Sequence, residues 1–276
     1  NEAIWACMAV GGRDHFKTTP VRARIGASRA FIDANVPWEY VTLADLRGGL
    51  GPRYRVLYLP AMLALRDDLR EVLLAYVQEG GRLVMDMPGA YYDAHGRMLP
   101  TAPGSWFETL FGCVLHDFGY ARDNQRPGRC GDVAFEGFVA DLEPTRATVT
   151  LRHDNGQPAV TEARVGRGTA VLLNLPASLS CWKPGAPAMQ RLLVRHALGR
   201  HKSPYACDGA LVYRLAAPGA DHYFLINDGP ATTVRLRVQG LARPRFEDAV
   251  DGETLAPGRP IALEAHGGRW LRLPRP

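Results

Sequence analysis

The side chains of this 276-residue chain that can do nucleophilic, metal or proton chemistry are five cysteines, eight histidines and 28 carboxylates. A closed zinc site needs thiolates or imidazoles at short spacing. Cys7, Cys113, Cys130, Cys181 and Cys207 form no C-x-x-C, and no H-x-x-x-H occurs. Neither a metal nor a disulfide framework is expected from so odd and irregular a set. Cofactors are not expected either. Gly11-Gly12 does not extend into a G-x-G-x-x-G phosphate loop, and Gly166-x-Gly168 reads as a hairpin turn. Asp14 and His15 could be drawn into a hydrolase triad with Ser28, Ser105 or Ser178, yet no serine lies in G-x-S-x-G. Asp117, Asp123, Asp132 and Glu136 share a loop-rich stretch. Glycoside hydrolysis needs two acids facing each other across the sugar, and solvated surface acids are the ordinary alternative. Among the tryptophans, Trp5, Trp38 and Trp270 sit in strand-like patterns and read as core. Trp106, with its neighbour Phe107, and Trp182 lie in polar, Pro/Gly-rich context that suits a sugar platform or an interface.

These residues need elements to position them. Residues 4–10, 38–43, 55–59 and 82–87 read as strands, and residues 20–35 and 67–79 as helices. The second helix is the clearer one: Leu69, Val72, Leu73, Tyr76 and Val77 make a stripe that packs on a sheet, and Gly80-Gly81 stops it. A short helix is expected near 105–112, and a final one at 188–198. Strands at 148–151 and 159–165 flank Asp154-Asn155-Gly156, a hairpin signal, and 168–175 is another core strand. Alternating strands and helices imply a parallel sheet with helices on both faces. Open sheets of this kind bind ligands outside the carboxyl ends of their strands. Gly11, Gly12, Arg13, Asp14 and His15 follow the first expected strand, Asp86 ends the fourth and Asn174 a later one, so these could line a crevice. The alternative is a set of turn and capping residues. After residue 202 only short strand patterns separated by turn residues remain, which predicts a small all-β unit. The expected domains are residues 1–202 and 203–276.

Apolar residues make up 46% and charged residues 22%, enough for real cores. The net charge is +5, and the arginine-rich cations are scattered, so nucleic acid is not an expected partner. The longest apolar run, residues 56–65, contains Pro60 and falls far short of the ~20 residues that cross a bilayer. Membrane insertion is not expected. The start at Asn1 carries no signal-peptide pattern, which favours a cytoplasmic location and a piece of something longer.

The stretch PWEYVTLADLRGG…RYRVLYLPAMLALRDDLREVLLAYVQEGGRLVMD resembles the middle, trimerisation domain of family-42 glycoside hydrolases, the β-galactosidases. The segment GQPAVTEARVGRGTAVLLNL is similar to that domain's closing strands. ADHYFLIND…DAVDGETL…IALEAHGGRWLRL is similar to the small C-terminal β-domain of the same enzymes. The resemblance implies a flavodoxin-like, class I glutamine-amidotransferase-like α/β fold for the first domain and a β-sandwich for the second. Active amidotransferases carry a Cys after the strand equivalent to 82–86 and a His after a later strand. Here those positions hold Met87 and Asn174, and neither a thioether nor an amide can replace the Cys-His pair. Family-42 catalysis uses two carboxylates on a barrel that has no counterpart in this chain.

The resemblance therefore implies a noncatalytic assembly region: a homo-oligomer, by resemblance a trimer, that helps shape a neighbouring subunit's sugar pocket. Galactosides would meet it only through a barrel outside the chain. A divergent amidotransferase-like hydrolase and a carbohydrate-binding module are the alternatives. The connection from 88 to 144 is too long for an ordinary loop. It carries Tyr91, Tyr92, Trp106, Phe107, Phe111, Phe118 and Tyr120, an aromatic density suited to an interface or to the domain's own core.

Overall fold

In the computed structural model, residues 1–9, 14–49, 53–121, 128–241, 244–256 and 258–275 are described. They fall into two compact units, Asn1–Ala30 with Tyr40–Arg200, and Phe31–Glu39 with His201–Pro276. Helices of the chain are α1 (Glu2–Met8), α2 (Thr19–Asp33), α3 (Leu43–Arg47), α4 (Asp67–Gln78), α5 (Trp106–Phe111), α6 (Ala177–Ser180) and α7 (Pro187–Leu198). The strands of the first unit are β1 (Val56–Leu59), β2 (Arg82–Asp86), β3 (Cys113–Ala121), β4 (Gly128–Cys130), β5 (Val133–Phe135), β6 (Gly137–Pro144), β7 (Thr148–Arg152), β8 (Pro158–Val165) and β9 (Gly168–Leu173). No helix among the described residues is long and apolar enough to cross a membrane.

The main sheet runs β1-β2-β9-β8-β7. Strands β1, β2 and β9 are parallel, whereas β8 and β7 are antiparallel additions, so the sheet is mixed rather than wholly parallel. The reason is local: β7 to β8 and β8 to β9 are hairpins, and a tight turn can only join antiparallel neighbours. Side chains alternate across a strand. Leu57, Leu59, Leu83, Met85, Ala170 and Leu172 share one core with Leu73, Tyr76 and Val77 of α4 and Phe107, Leu110 and Phe111 of α5. On the opposite face Arg82 reaches α7, donating to the carbonyls of His196 (2.7 Å) and Ala197 (3.1 Å) and to Glu162 (2.8 Å). The last carbonyls of a helix have no partner inside it. A buried guanidinium supplies both the donors and the favourable charge. Gly199 follows at φ +55, and a Cβ there would sit 2.6 Å from the Arg82 guanidinium carbon.

Two expected strands are not strands. Residues 4–10 begin as helix α1 instead, because so short an apolar run fits either period and nothing pairs with it. Residues 38–43 run as irregular chain into α3, which starts with a capping box: Thr42 accepts from the Asp45 amide while Asp45 accepts from that of Thr42. The long connection after β2 is not a loop either. It holds α5, the antiparallel ribbon β3–β6 and the small hairpin β4–β5.

In the second unit the strands are β10 (Tyr205–Cys207), β11 (Leu211–Ala217), β12 (Ala220–Ile226), β13 (Thr232–Val234), β14 (Leu236–Val238), β15 (Phe246–Asp248), β16 (Thr254–Leu255), β17 (Ile261–Leu263) and β18 (Gly268–Pro274). They form a five-stranded sheet β11-β12-β18-β15-β16 and two ladders, β10-β14 and β13-β17. The run at 232–238 is thus two strands with different partners. Inward residues such as Val212, Tyr223, Leu225, Phe246, Leu271 and Leu273 make the core. Trp270 points outward, 39% exposed, and stacks on Phe224 at 5.5 Å, so its strand pattern places it on the wet face. Trp38 is likewise 37% exposed, and only Trp5 of the three is core.

Asn35 ties the 31–39 segment into this unit. Its amide donates to the carbonyls of Cys207 (2.8 Å) and Ala210 (3.0 Å), and its Oδ1 accepts from the Val212 amide (2.7 Å). The backbone there is left-handed, φ 52, which asparagine tolerates better than most residues. Asn35→Ala strands two carbonyls and one N–H in a buried place and worsens the backbone. The expected loss is about 2–4 kcal/mol, read as a lower urea midpoint at unchanged slope.

Candidate functional site

The carboxyl ends of the parallel strands are where an amidotransferase-like fold would do its chemistry. Asp86 ends β2 with no solvent exposure. Its carboxylate accepts from the Ala61 amide (2.7 Å), the Ser178 amide (2.6 Å) and the Tyr58 hydroxyl (3.0 Å). Burial raises its pKa, and the donors from Ala61, Ser178 and Tyr58 only partly offset that. The Ser178 hydroxyl is also buried close by and helps to lower the Asp86 pKa against the effect of burial. Ala61 itself has φ 43, a conformation that costs a non-glycine residue about 1–2 kcal/mol. It is gripped from both sides, since its carbonyl accepts from the Trp5 indole (3.3 Å).

Met87 and Asn174 follow directly after the paired strands β2 and β9, in which Asp86 stands opposite Leu173. Both are fully buried. The Met87 amide donates to Leu173 (3.1 Å) and its thioether belongs to the α4/α5 core. Asn174 behaves as a piece of strand. Its Oδ1 accepts from the Ala140 amide (2.7 Å), and its Nδ2 donates to the carbonyls of Ala140 and Pro158 (both 2.8 Å). The amide thus pairs with β6 as a neighbouring strand would, anchoring the ribbon on the sheet. Its carbonyl meets Nε2 of His153 at 2.9 Å, which makes that nitrogen the donor, and burial lowers the His153 pKa. That buried ring is the one histidine beside the strand ends that the sequence reading missed; its only sequence signal is its place just before Asp154-Asn155-Gly156.

Beside these strand ends the described residues pack against one another. Trp5, Phe16, Ala61 and Leu63 form a buried cluster there, with Tyr91, Tyr92 and Phe138 packed against it. Trp5 meets Phe16 edge-on at 5.7 Å and Phe138 at 6.1 Å. Of the expected crevice residues, Gly11, Gly12 and Arg13 lie outside the described residues. Asp14 and His15 fall in a 3-10 turn, Asp14–Thr18, their side chains outside the described set. Asp86 joins three segments through the hydrogen bonds it accepts.

The remaining candidates are equally engaged. Ser28 bonds to Arg24 and Tyr40, and Ser105 caps α5. Among the acids, Asp117 folds back on the Phe118 amide, Asp132 lies near Arg191, and Asp123 is outside the described residues. The expected surface aromatics need correcting. Phe107 is buried in its own domain's core, because it falls on the inner side of α5 with Leu110 and Phe111. Trp106 is half-buried and donates to the Arg70 carbonyl (2.8 Å). Trp182 is half-buried, with the Arg22 guanidinium 4.6 Å from its ring centroid and the Lys183 ammonium at 5.0 Å, so its ring makes cation–π contacts within the chain. No group of three or more possible metal ligands occurs among the described residues. Burial raises the thiol pKa of Cys113 and Cys130 and pushes Cys207 up to about 11, so these are poor nucleophiles.

The arrangement defines an amidotransferase-like α/β unit whose reactive positions serve as internal bonds, followed by a small all-β unit. A family model described as the β-galactosidase trimerisation domain matches residues 29–203, and the chain belongs to that family. Among curated proteins none matches its sequence. Solved structures do. A catalytic mutant of Gan42B, a GH42 β-galactosidase from G. stearothermophilus, matches with a TM-score of 0.74 and 18% identity, over 96% of this chain and 38% of that one. The β-galactosidase from Bacillus circulans sp. alkalophilus gives 0.73 and 15% over 92% and 37%. The cold-adapted enzyme from Rahnella sp. R3 gives 0.70 and 16% over 95% and 37%. At such identities the likeness is one of fold, and the chain spans little more than a third of the length of these relatives.

Two outcomes test this account of the strand ends. Asn174→Asp puts a carboxylate oxygen against the Ala140 and Pro158 carbonyls, so its folded-state pKa must rise. Stability relative to wild type is then nearly retained below the unfolded carboxyl value near 3.9 and lost as pH climbs through the raised one. Urea unfolding at neutral pH should show a deficit of about 3 kcal/mol, shrinking in acid. A thiol reagent should label the exposed Cys7 quickly in the native protein, and the four buried cysteines only after denaturant is added.

Proposed function

We propose that this chain is the noncatalytic assembly region of a family-42-like β-galactosidase, and that its α/β unit also shapes the galactoside pocket of a neighbouring subunit. The observation that carries the reading is the family match over residues 29–203. The internal hydrogen bonds of Asp86 and Asn174 support it, since side chains so committed hold the scaffold together. In this reading the catalytic carboxylates belong to a barrel outside the chain.

The proposed contact is the β3–β6 ribbon, which Asn174 holds on the sheet. Its aromatic residues Phe118 and Phe138 are half-buried, and Tyr120 is 39% exposed beside Phe138 at 5.0 Å. Rings of this kind, apolar yet reachable, are enriched at subunit contacts. A closed symmetric assembly would use the same patch on every subunit.

Sedimentation equilibrium checks the proposal. The 30.2 kDa chain should approach the mass of three copies, about 91 kDa, as concentration rises. Tyr120→Glu should return it to a single copy with little change in melting temperature. A 30.2 kDa species at every concentration would refute self-assembly by this region.

A further inference from the structure

The β-unit contains a cleft of about 550 Å³, a size typical of small-ligand sites. Its chemistry is one-sided. At its base lies Asp221, nearly buried, whose two oxygens accept from Nη2 of Arg214 at 2.9 Å each. Arg275 donates to the same carboxylate. One counter-charge suffices for a carboxylate, and Asp221 has two. Arg245 also lines the cleft and forms no ion pair among the described residues. Glu247 is there too, but Arg272 neutralises it at 2.8 Å. With Glu247 neutralised, the three arginines against the single charge of Asp221 leave an excess of two positive charges in the lining. The apolar part of the lining is Val238, Pro244 and Leu241, the last of them exposed.

A guanidinium has five N–H donors in a planar fork that suits carboxylate and phosphate oxygens. Asp221 uses only part of this set on Arg214 and Arg275. We propose that the cleft binds a small organic anion. Its carboxylate or phosphate oxygens would be held by Arg245 and by the N–H groups of Arg214 and Arg275 not committed to Asp221, its body lying against Leu241 and Pro244. All these residues belong to the β-unit, so the inference is independent of the proposed assembly role.

Isothermal titration of the whole chain at about 50 mM ionic strength tests it, with galacturonate, galactose 6-phosphate, inorganic phosphate and methyl galactoside as probes. At least one of the three anions should bind saturably and weaken as salt is added, while the neutral galactoside does not bind. Galacturonate would mark the occupant as a carboxylate, galactose 6-phosphate as an ester, and inorganic phosphate as a free oxyanion. Arg245→Ala, at an exposed and unpaired position, should weaken binding roughly fivefold at unchanged melting temperature. Arg214→Met should weaken it about tenfold or more. Should Arg214→Met fail to fold, the Arg245 variant still decides. No binding of any anion, equal binding of the neutral galactoside, or an affinity indifferent to Arg245→Ala would overturn the proposal.

Discussion

Around the buried carboxylate of Asp86 three segments meet whose ends the sheet ladders alone do not fix. The chain leaving β1 must turn back at Ala61, α6 must begin after β9, and β1 itself must keep its register at Tyr58. One side chain receives a donor from each. Burial makes such a group expensive, and three donors make it tolerable. The strained turn at Ala61 persists because Asp86 holds its amide and Trp5 its carbonyl. The aromatic cluster of Trp5 and Phe16 packs on that turn through Ala61.

How much of this was legible in the sequence depended on whether local pattern or distant partner decided the outcome. Helix α4 was legible, since its stripe and its Gly80-Gly81 stop are local. So were the hairpin at Asp154-Asn155-Gly156 and the short strands after residue 202. Helix α1 was not: seven residues of mixed apolar character carry no usable period, and the Trp5–Ala61 contact that fixes it spans more than fifty positions. Helix α3 had a readable start, Thr42-x-x-Asp45, outweighed by the β-like residues just before it.

The candidate site was legible in a different sense. Residue type alone removed Cys-His chemistry at positions 87 and 174. It did not show that Asn174 works as a strand surrogate for β6, because that role appears only once Ala140 is brought alongside. Aromatic count did not separate Phe107, which faces inward on α5, from Trp182, which is half-buried beside Arg22 and Lys183. Outwardness is a property of the partner surface, and a single sequence carries little of it.

The three bonds of Asn174 have an implication for how freely this fold can trade scaffold for chemistry. Writing Cys at position 87 and His at position 174 would restore the letters of an amidotransferase and not its workings. An imidazole lacks the paired donor and acceptor geometry that the Ala140 backbone uses, so the ribbon would lose its mooring as the base appeared. A thiol at 87 would sit in the hydrocarbon core of α4 and α5, where burial keeps it protonated. The path back to catalysis therefore runs through the ribbon and that core first, and through the reactive pair last.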